Sequence, residues 1–198
     1  MEVNALSISD AFVVESEIHI DSRGNFWEWF KYSDFQKKAD KKFNPKQVNI
    51  SVNKEFVIRG IHYSLAESGQ SKLVTCLSGS IVDVIVDLRI GSTTFGESIC
   101  VELSALNGRS VFLGAGLGHG FMSLTNNTVV AYILDSEYSA EREYEINPMD
   151  NDLKIDWGNL NPEKLTITLS EKDRNAPTLE KRISNNLLPF YADISNIE

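Results

Sequence analysis

Through the middle of the chain, apolar and polar residues either alternate with the period of a β-strand or run together as short apolar stretches. Such segments span Val48 to Val52, Phe56 to Tyr63, Lys72 to Leu77, Ile81 to Leu88, Ser98 to Leu103, Ser110 to Leu113, Phe121 to Leu124 and Val129 to Leu134. Turn residues separate them, most clearly Ser78-Gly79, Asn107-Gly108 and Asn126-Asn127, and no proline interrupts the central strands. Eight strands with Gly, Asn and Ser turns predict an all-β barrel or jelly roll over roughly residues 45–150. Ahead of it, Ser33 to Asp40 reads as a short capped helix. After Asn147-Pro148 the periodicity fades, and Ser170 to Asn185 reads as helical with a break at Pro177. The tail, 151–198, is expected to cover one barrel mouth.

Within Ile81 to Leu88 the even positions Val82, Val84, Val86 and Leu88 are all apolar, whereas Asp83 and Asp87 share the other face with Ile81 and Ile85. Two explanations stand side by side: an aspartate pointing into a polar barrel interior, or the wet face of an outer strand.

A chain of 198 residues with 42% hydrophobic content can bury one sizeable core, so a single domain over 1–198 is expected, and there is no repeat or linker. The N-terminus lacks a basic and apolar leader, and no apolar run approaches the ~20 residues of a membrane span, so a soluble, cytoplasmic protein is expected. Cys76 and Cys100 lie in strand-like runs without Cys-x-x-Cys spacing and read as buried thiols. A net charge of −9 with no basic stripe argues against a nucleic-acid partner.

The densest chemistry lies in Ile58-Arg59-Gly60-Ile61-His62-Tyr63 and in Gly69-Gln70-Ser71-Lys72. A histidine exchanges protons near neutral pH, and a fixed cation nearby stabilises an oxyanion formed when a proton leaves carbon. In a regular strand Arg59 and His62 would point to opposite sides, and a bulge at Gly60 reconciles them. With only His19, His62 and His119, a metal cage is poorly supplied. The run Gly114 to Gly120 fits no Gly-x-Gly-x-x-Gly register and is read as a tight turn bringing His119 to a cavity. What remains is an acid and base set of His62, Lys72, Tyr132 and Asp173, if the fold brings them together. Each also has a plain structural reading: a packed histidine, a strand-end lysine, a core tyrosine, and the last residue of the capping box Ser170-Glu171-Lys172-Asp173.

Taken together, Asp21-Ser22-Arg23-Gly24-Asn25-Phe26, Gln47-Val48-Asn49, Ile58 to Tyr63, Gln70 to Val74, Val82-Asp83-Val84, Gly91-Ser92-Thr93-Thr94-Phe95-Gly96, Gly118-His119-Gly120-Phe121, Ile155-Asp156-Trp157 and Leu169 to Asp173 resemble the dTDP-4-dehydrorhamnose 3,5-epimerase family. The resemblance implies a cupin-type jelly roll acting on a nucleotide-linked 4-keto-6-deoxy sugar, with no cofactor and no metal. It makes His62 the base, oriented by Asp173, Tyr132 the acid on the other side of the sugar, and Lys72 the cation at the enolate. It assigns Arg23, Glu28, Gln47, Asn49, Arg59, His119, Tyr138, Glu143 and Lys172 to the nucleotide sugar, with Phe26 stacking on the thymine. It also implies a homodimer in which Arg23, Phe26 and Glu28 serve the neighbouring subunit's pocket.

Thr93-Thr94-Phe95-Gly96 stands where many relatives have Pro-Thr-Phe-Gly, and Gly114-Ala115-Gly116 replaces a more acidic approach to the histidine. Val74-Thr75-Cys76 and Leu187-Leu188-Pro189-Phe190-Tyr191 resemble the branch holding antibiotic-sugar epimerases, some of which invert only C3 or only C5. Inversion at both carbons, inversion at one, and nucleotide-sugar binding without catalysis are all compatible with this jelly roll.

Overall fold

Two antiparallel sheets face one another across the main core in a computed structural model that describes residues 1–66, 69–161 and 166–195; the expected tail at 162–165 and 196–198 lies outside them. In chain order the strands are β1 (Glu2–Ala5), β2 (Ala11–Glu15), β3 (His19–Asp21), β4 (Gly24–Phe26), β5 (Gln47–Asn53), β6 (Ile58–Ser64), β7 (Lys72–Ser78), β8 (Ser80–Asp87), β9 (Ser98–Ser104), β10 (Arg109–Leu113), β11 (Leu117–Ser123), β12 (Thr128–Leu134) and β13 (Glu143–Glu145). The helices are α1 (Tyr32–Ala39), α2 (Glu171–Arg174), α3 (Leu179–Ser184) and α4 (Tyr191–Ser195). One sheet runs β1-β2-β10-β7-β12-β5 and the other β13-β6-β11-β8-β9, while β3 and β4 form a separate hairpin. This is the expected cupin-type jelly roll, built as two facing sheets rather than one closed barrel. All eight segments read from the sequence are strands, and the three turns contain residues with positive φ at Gly79, Gly108 and Asn127. The four N-terminal strands are additions that short, mixed segments did not signal.

The core between the sheets takes Val74 and Cys76 from β7, Ile81 and Ile85 from β8, Val111 and Leu113 from β10, and Leu117 and Phe121 from β11. Strand β8 is therefore buried on both faces for two reasons. Its odd positions face the other sheet, whereas Val84 and Val86, with Leu88 just beyond the strand, pack under Leu153, Trp157, Leu179 and Leu188 of the tail. The tail thus covers the outer face of the five-stranded sheet, which is apolar and needs a cover, and its Thr168 to Asp173 segment also borders the cleft between the sheets. On the outside of the other sheet, Phe35 and Phe43 pack on Val14, Leu73, Phe112 and Ile133.

Further details differ from the sequence reading. Helix α1 begins after Lys31, which makes no side-chain cap, so its first turn lacks the expected Ser cap. Cys100 is exposed on β9, the edge strand of its sheet, while Cys76 is buried as expected. The glycine run is a turn only up to Gly116, where φ is +77°. Gly118 and Gly120 lie within β11, and a Cβ on Gly120 would stand 2.6 Å from Ile61 Cδ1. They are small so that β6 can lie against β11, not so that the chain can turn.

Candidate active site

Strand β6 carries the largest local irregularity of the sheet. His62 pairs with His119 while Arg59 pairs with Phe121, so three steps on β6 oppose two on β11. Gly60, at φ +123°, absorbs the extra residue, and a Cβ there would meet Gly120 Cα at 2.6 Å. The bulge turns Ile61 outward into the core beneath the tail and aims Arg59 and His62 into the same cleft, as the sequence pattern required.

That cleft, about 650 Å³, lies between the sheets at the end that carries β5 in one and β13 and β6 in the other. From the five-stranded sheet come Arg59, His62, His119 and Glu143; from the six-stranded sheet come Gln47, Asn49, Lys72 and Tyr132; Tyr138 and the tail residues Lys172 and Asp173 close the rim. Eleven of the fourteen residues proposed from the sequence therefore line one cavity. Arg23, Phe26 and Glu28 do not line it. They lie on or beside the β3–β4 hairpin, where Arg23 pairs with Asp21 at 2.6 Å and Phe26 is 66% exposed.

His62 Nε2 lies 2.7 Å from Asp173 Oδ1. Burial alone would raise the Asp173 pKa, but the hydrogen bond and charge of His62, with bonds from Ser170 and the Gly60 backbone, bring it below the ordinary value. An ionised Asp173 accepts the Nε2 proton, which leaves Nδ1 as the basic nitrogen of the neutral ring. The Ser170 hydroxyl caps α2 by accepting from the Asp173 backbone N–H at 3.0 Å, so the capping box and the dyad are one structure.

Tyr132 rises from the opposite sheet with its hydroxyl 3.2 Å from Ser51 Oγ. Burial pushes its pKa up and the charge of Asp83 adds to this, against the Ser51 hydrogen bond and Arg59. The phenol is therefore a proton carrier at neutral pH. Lys72 is buried, which lowers its pKa, while the charges of Glu143 and Asp83 work to keep it protonated. The ring of His119 stands edge-on to Tyr132 at 5.9 Å, with Nε2 2.8 Å from Asp83 Oδ2.

Around these groups the polar side chains hold one another. Arg59 Nε donates to Asn53 Oδ1 at 2.7 Å, Gln47 Nε2 to Asn49 Oδ1 at 2.9 Å, and Gln70 Nε2 to Glu143 Oε1 at 3.1 Å. Lys172 pairs with Glu145 at 3.0 Å across the rim. Ser51 and Asn53 were not singled out from the sequence, and Gln70 was named only within its motif, without a role. The first two were legible, because Gln47, Asn49, Ser51 and Asn53 alternate with Val48, Ile50 and Val52. In β5 the polar positions face inward and the apolar ones lie outside, the reverse of the usual strand. No three His, Cys, Asp or Glu side chains among the described residues are grouped to hold a metal ion, and no described helix is long and apolar enough to cross a membrane.

A jelly roll whose cleft pairs an oriented histidine with a half-buried phenol and a buried lysine has the groups of a proton-transfer enzyme. The family model for dTDP-4-dehydrorhamnose 3,5-epimerase matches residues 5–181. A dTDP-4-dehydro-6-deoxyglucose 3-epimerase from a Streptomyces species is 42% identical over 96% of this chain and 94% of its own. A dTDP-4-dehydrorhamnose 3,5-epimerase from Mycolicibacterium smegmatis is 37% identical over 98% and 93%. Among solved structures, an epimerase from Mycobacterium tuberculosis superposes with a TM-score of 0.95 at 36% identity, covering 100% of this chain and 98% of that one. A 3'-monoepimerase from Streptomyces bikiniensis, solved with dTDP-quinovose, gives 0.91 at 40% identity, covering 98% and 96%. The chain belongs to the dTDP-4-dehydrorhamnose 3,5-epimerase family and is an isomerase.

Proposed function

We propose that the protein inverts C3 and C5 of dTDP-4-keto-6-deoxy-D-glucose through an enolate at C4. The observation that carries this reading is that His62, oriented by Asp173, and the phenol of Tyr132 enter one cleft from different sheets. Inverting a carbon beside a ketone requires a proton to leave one face of the ring and another to arrive on the opposite face, so a single group is badly sited for both tasks. His62 Nδ1 removes the proton, the electron pair moves to the C4 oxygen, and the Lys72 ammonium stabilises that charge more than it stabilises the neutral ketone. Tyr132 then delivers its proton from the other wall. Arg59 and Lys172 supply cations for the diphosphate, Gln47, Asn49, His119 and Glu143 hydrogen-bond the nucleotide sugar, and Tyr138 offers a flat ring near the rim.

The homodimer belongs to the same proposal. Val48, Ile50 and Val52 present an aligned apolar face on an edge strand at 61%, 64% and 63% exposure, which a second copy would cover. Arg23, Phe26 and Glu28, exposed at or near their own hairpin, would complete the partner's cleft.

A second reading has an observation of its own. Two of the most similar relatives, at 42% and 41% identity, carry the name of C3-only epimerases. Incubation with the 4-keto sugar nucleotide in deuterated water, followed by magnetic resonance, separates the cases. Deuterium and inversion at both carbons support the double inversion, label at C3 alone favours the single-centre enzyme, and no label at all rejects proton transfer.

A further inference from the structure

A polar chain runs along β5 to the phenol of Tyr132. Arg59 Nε donates to Asn53 Oδ1 at 2.7 Å, Asn53 Nδ2 donates to Ser51 Oγ at 3.1 Å, and Ser51 Oγ lies 3.2 Å from the Tyr132 hydroxyl. Register explains the last contact. Ser51 pairs with Val130 and Asn49 with Tyr132, so Ser51 and Tyr132 are diagonal neighbours on the inward face of the β5–β12 pair. All four side chains of the chain line the cleft, and Asn53 is 3% exposed. Donor and acceptor chemistry fixes the direction of every link but the last. A guanidinium only donates, so the Asn53 atom facing Arg59 is the amide oxygen; the Thr128 carbonyl, 3.1 Å from the other end of the amide, only accepts, so the nitrogen faces it. The shorter contacts of that nitrogen are Thr128 O and Ser51 Oγ, with Ser51 O farther away at 3.4 Å. Ser51 therefore accepts from Asn53 and keeps its own proton to donate, and among the described residues the Tyr132 oxygen is the acceptor in reach.

We propose that Ser51 is a positioning residue for the acid: its hydroxyl donates to the Tyr132 oxygen, and Asn53, braced by Arg59, holds it in that orientation. This deepens the enolate reading and rests on it for its catalytic consequence. A phenol oxygen that accepts a hydrogen bond from its own wall has its proton turned toward the cleft, where the enolate carbon must be met. On transfer the phenol O–H bond breaks, a C–H bond forms at the sugar carbon, and the negative charge of the enolate passes to the phenol oxygen. Ser51 stabilises that charge with a donor already in place, so no reorganisation is needed as the charge arrives. The proton that His62 took is then lost to water, and water returns one to the phenolate. Asn53 also ties this donor to Arg59, the cation proposed for the diphosphate, so the guanidinium and the acid share one brace.

Ser51→Ala removes the donor and leaves Asn53 its bond to the Thr128 carbonyl. With the 4-keto sugar nucleotide in deuterated water, inversion at C3 is expected to fall by about 10-fold, the loss set by one hydrogen bond to a developing anion, while exchange on the His62 face stays within about threefold. Ser51→Thr keeps a hydroxyl and should invert faster than Ser51→Ala. Inversion at the normal rate in Ser51→Ala, exchange and inversion falling together, or equal loss in both variants overturns the proposal. Neutron diffraction from the deuterium-exchanged, unaltered enzyme reads the link directly, whatever the variants do. A Ser51 deuteron pointing at Tyr132 Oη supports the proposal, and a phenol deuteron pointing at Ser51 Oγ overturns it. An unaltered enzyme that exchanges no substrate hydrogen rejects the epimerase reading instead, and the neutron positions still decide the direction of the bond.

Discussion

Asp173→Asn isolates the charge of the dyad with little other change. The Asp173 backbone N–H that bonds the Ser170 hydroxyl at 3.0 Å is retained, so the cap of α2 survives. What is lost is an ionic acceptor 2.7 Å from His62 Nε2. A hydrogen bond to a charged group contributes about 1.5–3 kcal/mol. The His62 side chain is 39% exposed while Asp173 is 5% exposed, so water screens one end and the lower part of that range, about 1.5–2 kcal/mol, applies. Because an imidazolium forms as the proton leaves carbon, the loss falls on the transition state. At 1.36 kcal/mol per factor of ten, kcat/KM should drop by about 10- to 30-fold. The drop is larger if the new amide donates to Nε2, because that moves the ring proton to Nδ1 and blocks the base. The assay is hydrogen exchange at C3 in deuterated water, with dTDP affinity measured in parallel. Exchange within about threefold of the unaltered enzyme, at unchanged affinity, would refute the orienting role of Asp173.

Tyr132→Phe should separate exchange from inversion: His62 still removes and returns protons on one face, so label enters C3 while inversion falls by at least about 100-fold, and a variant that inverts at the normal rate removes Tyr132 from the acid role. Ile50→Asp puts a charge in the exposed apolar row of β5 and should halve the sedimenting mass if a second copy covers it; an unchanged mass assigns the dimer to another face. Acid stability should depend on the Arg89 cluster. Burial raises the pKa values of Asp87 and Asp10, but Arg89, Ser92, Thr94 and Lys41 outweigh it and hold both below the ordinary 3.8. Their stabilisation is therefore complete above that value and drains away as the pH falls below it. Thermal melts of the unaltered protein should lose stability in that window, and Asp87→Asn should flatten the acid limb; parallel curves would contradict the assignment.

The strands of the core were legible because each one carries its own period: two alternating faces in Ile81 to Leu88, polar against apolar in Gln47 to Asn53. The bulge was legible as a conflict, since Arg59 and His62 could share a cleft only if β6 broke its alternation at Gly60. What the period left open was which way each face pointed. Nothing local marks Val48, Ile50 and Val52 as the outside, or Gly118 and Gly120 as a seat for Ile61 rather than a turn.

Residue types, strand spacing and the set of groups able to move a proton are properties of the chain itself, because they depend on neighbours one to four positions apart. The partnerships are not. His62 meets Asp173 across 111 residues of sequence, and His119 meets Asp83 across 36. The docking of α2 beside β6 decided the first meeting and the pairing of β11 with β8 the second, and the fold likewise decided that Asp87 is saturated with donors while Asp83, identical in type and on the same face, is left with one oxygen unpaired. A side chain's charge, proton and direction are set by what the folded chain brings within a few ångströms of it, and that is long-range information.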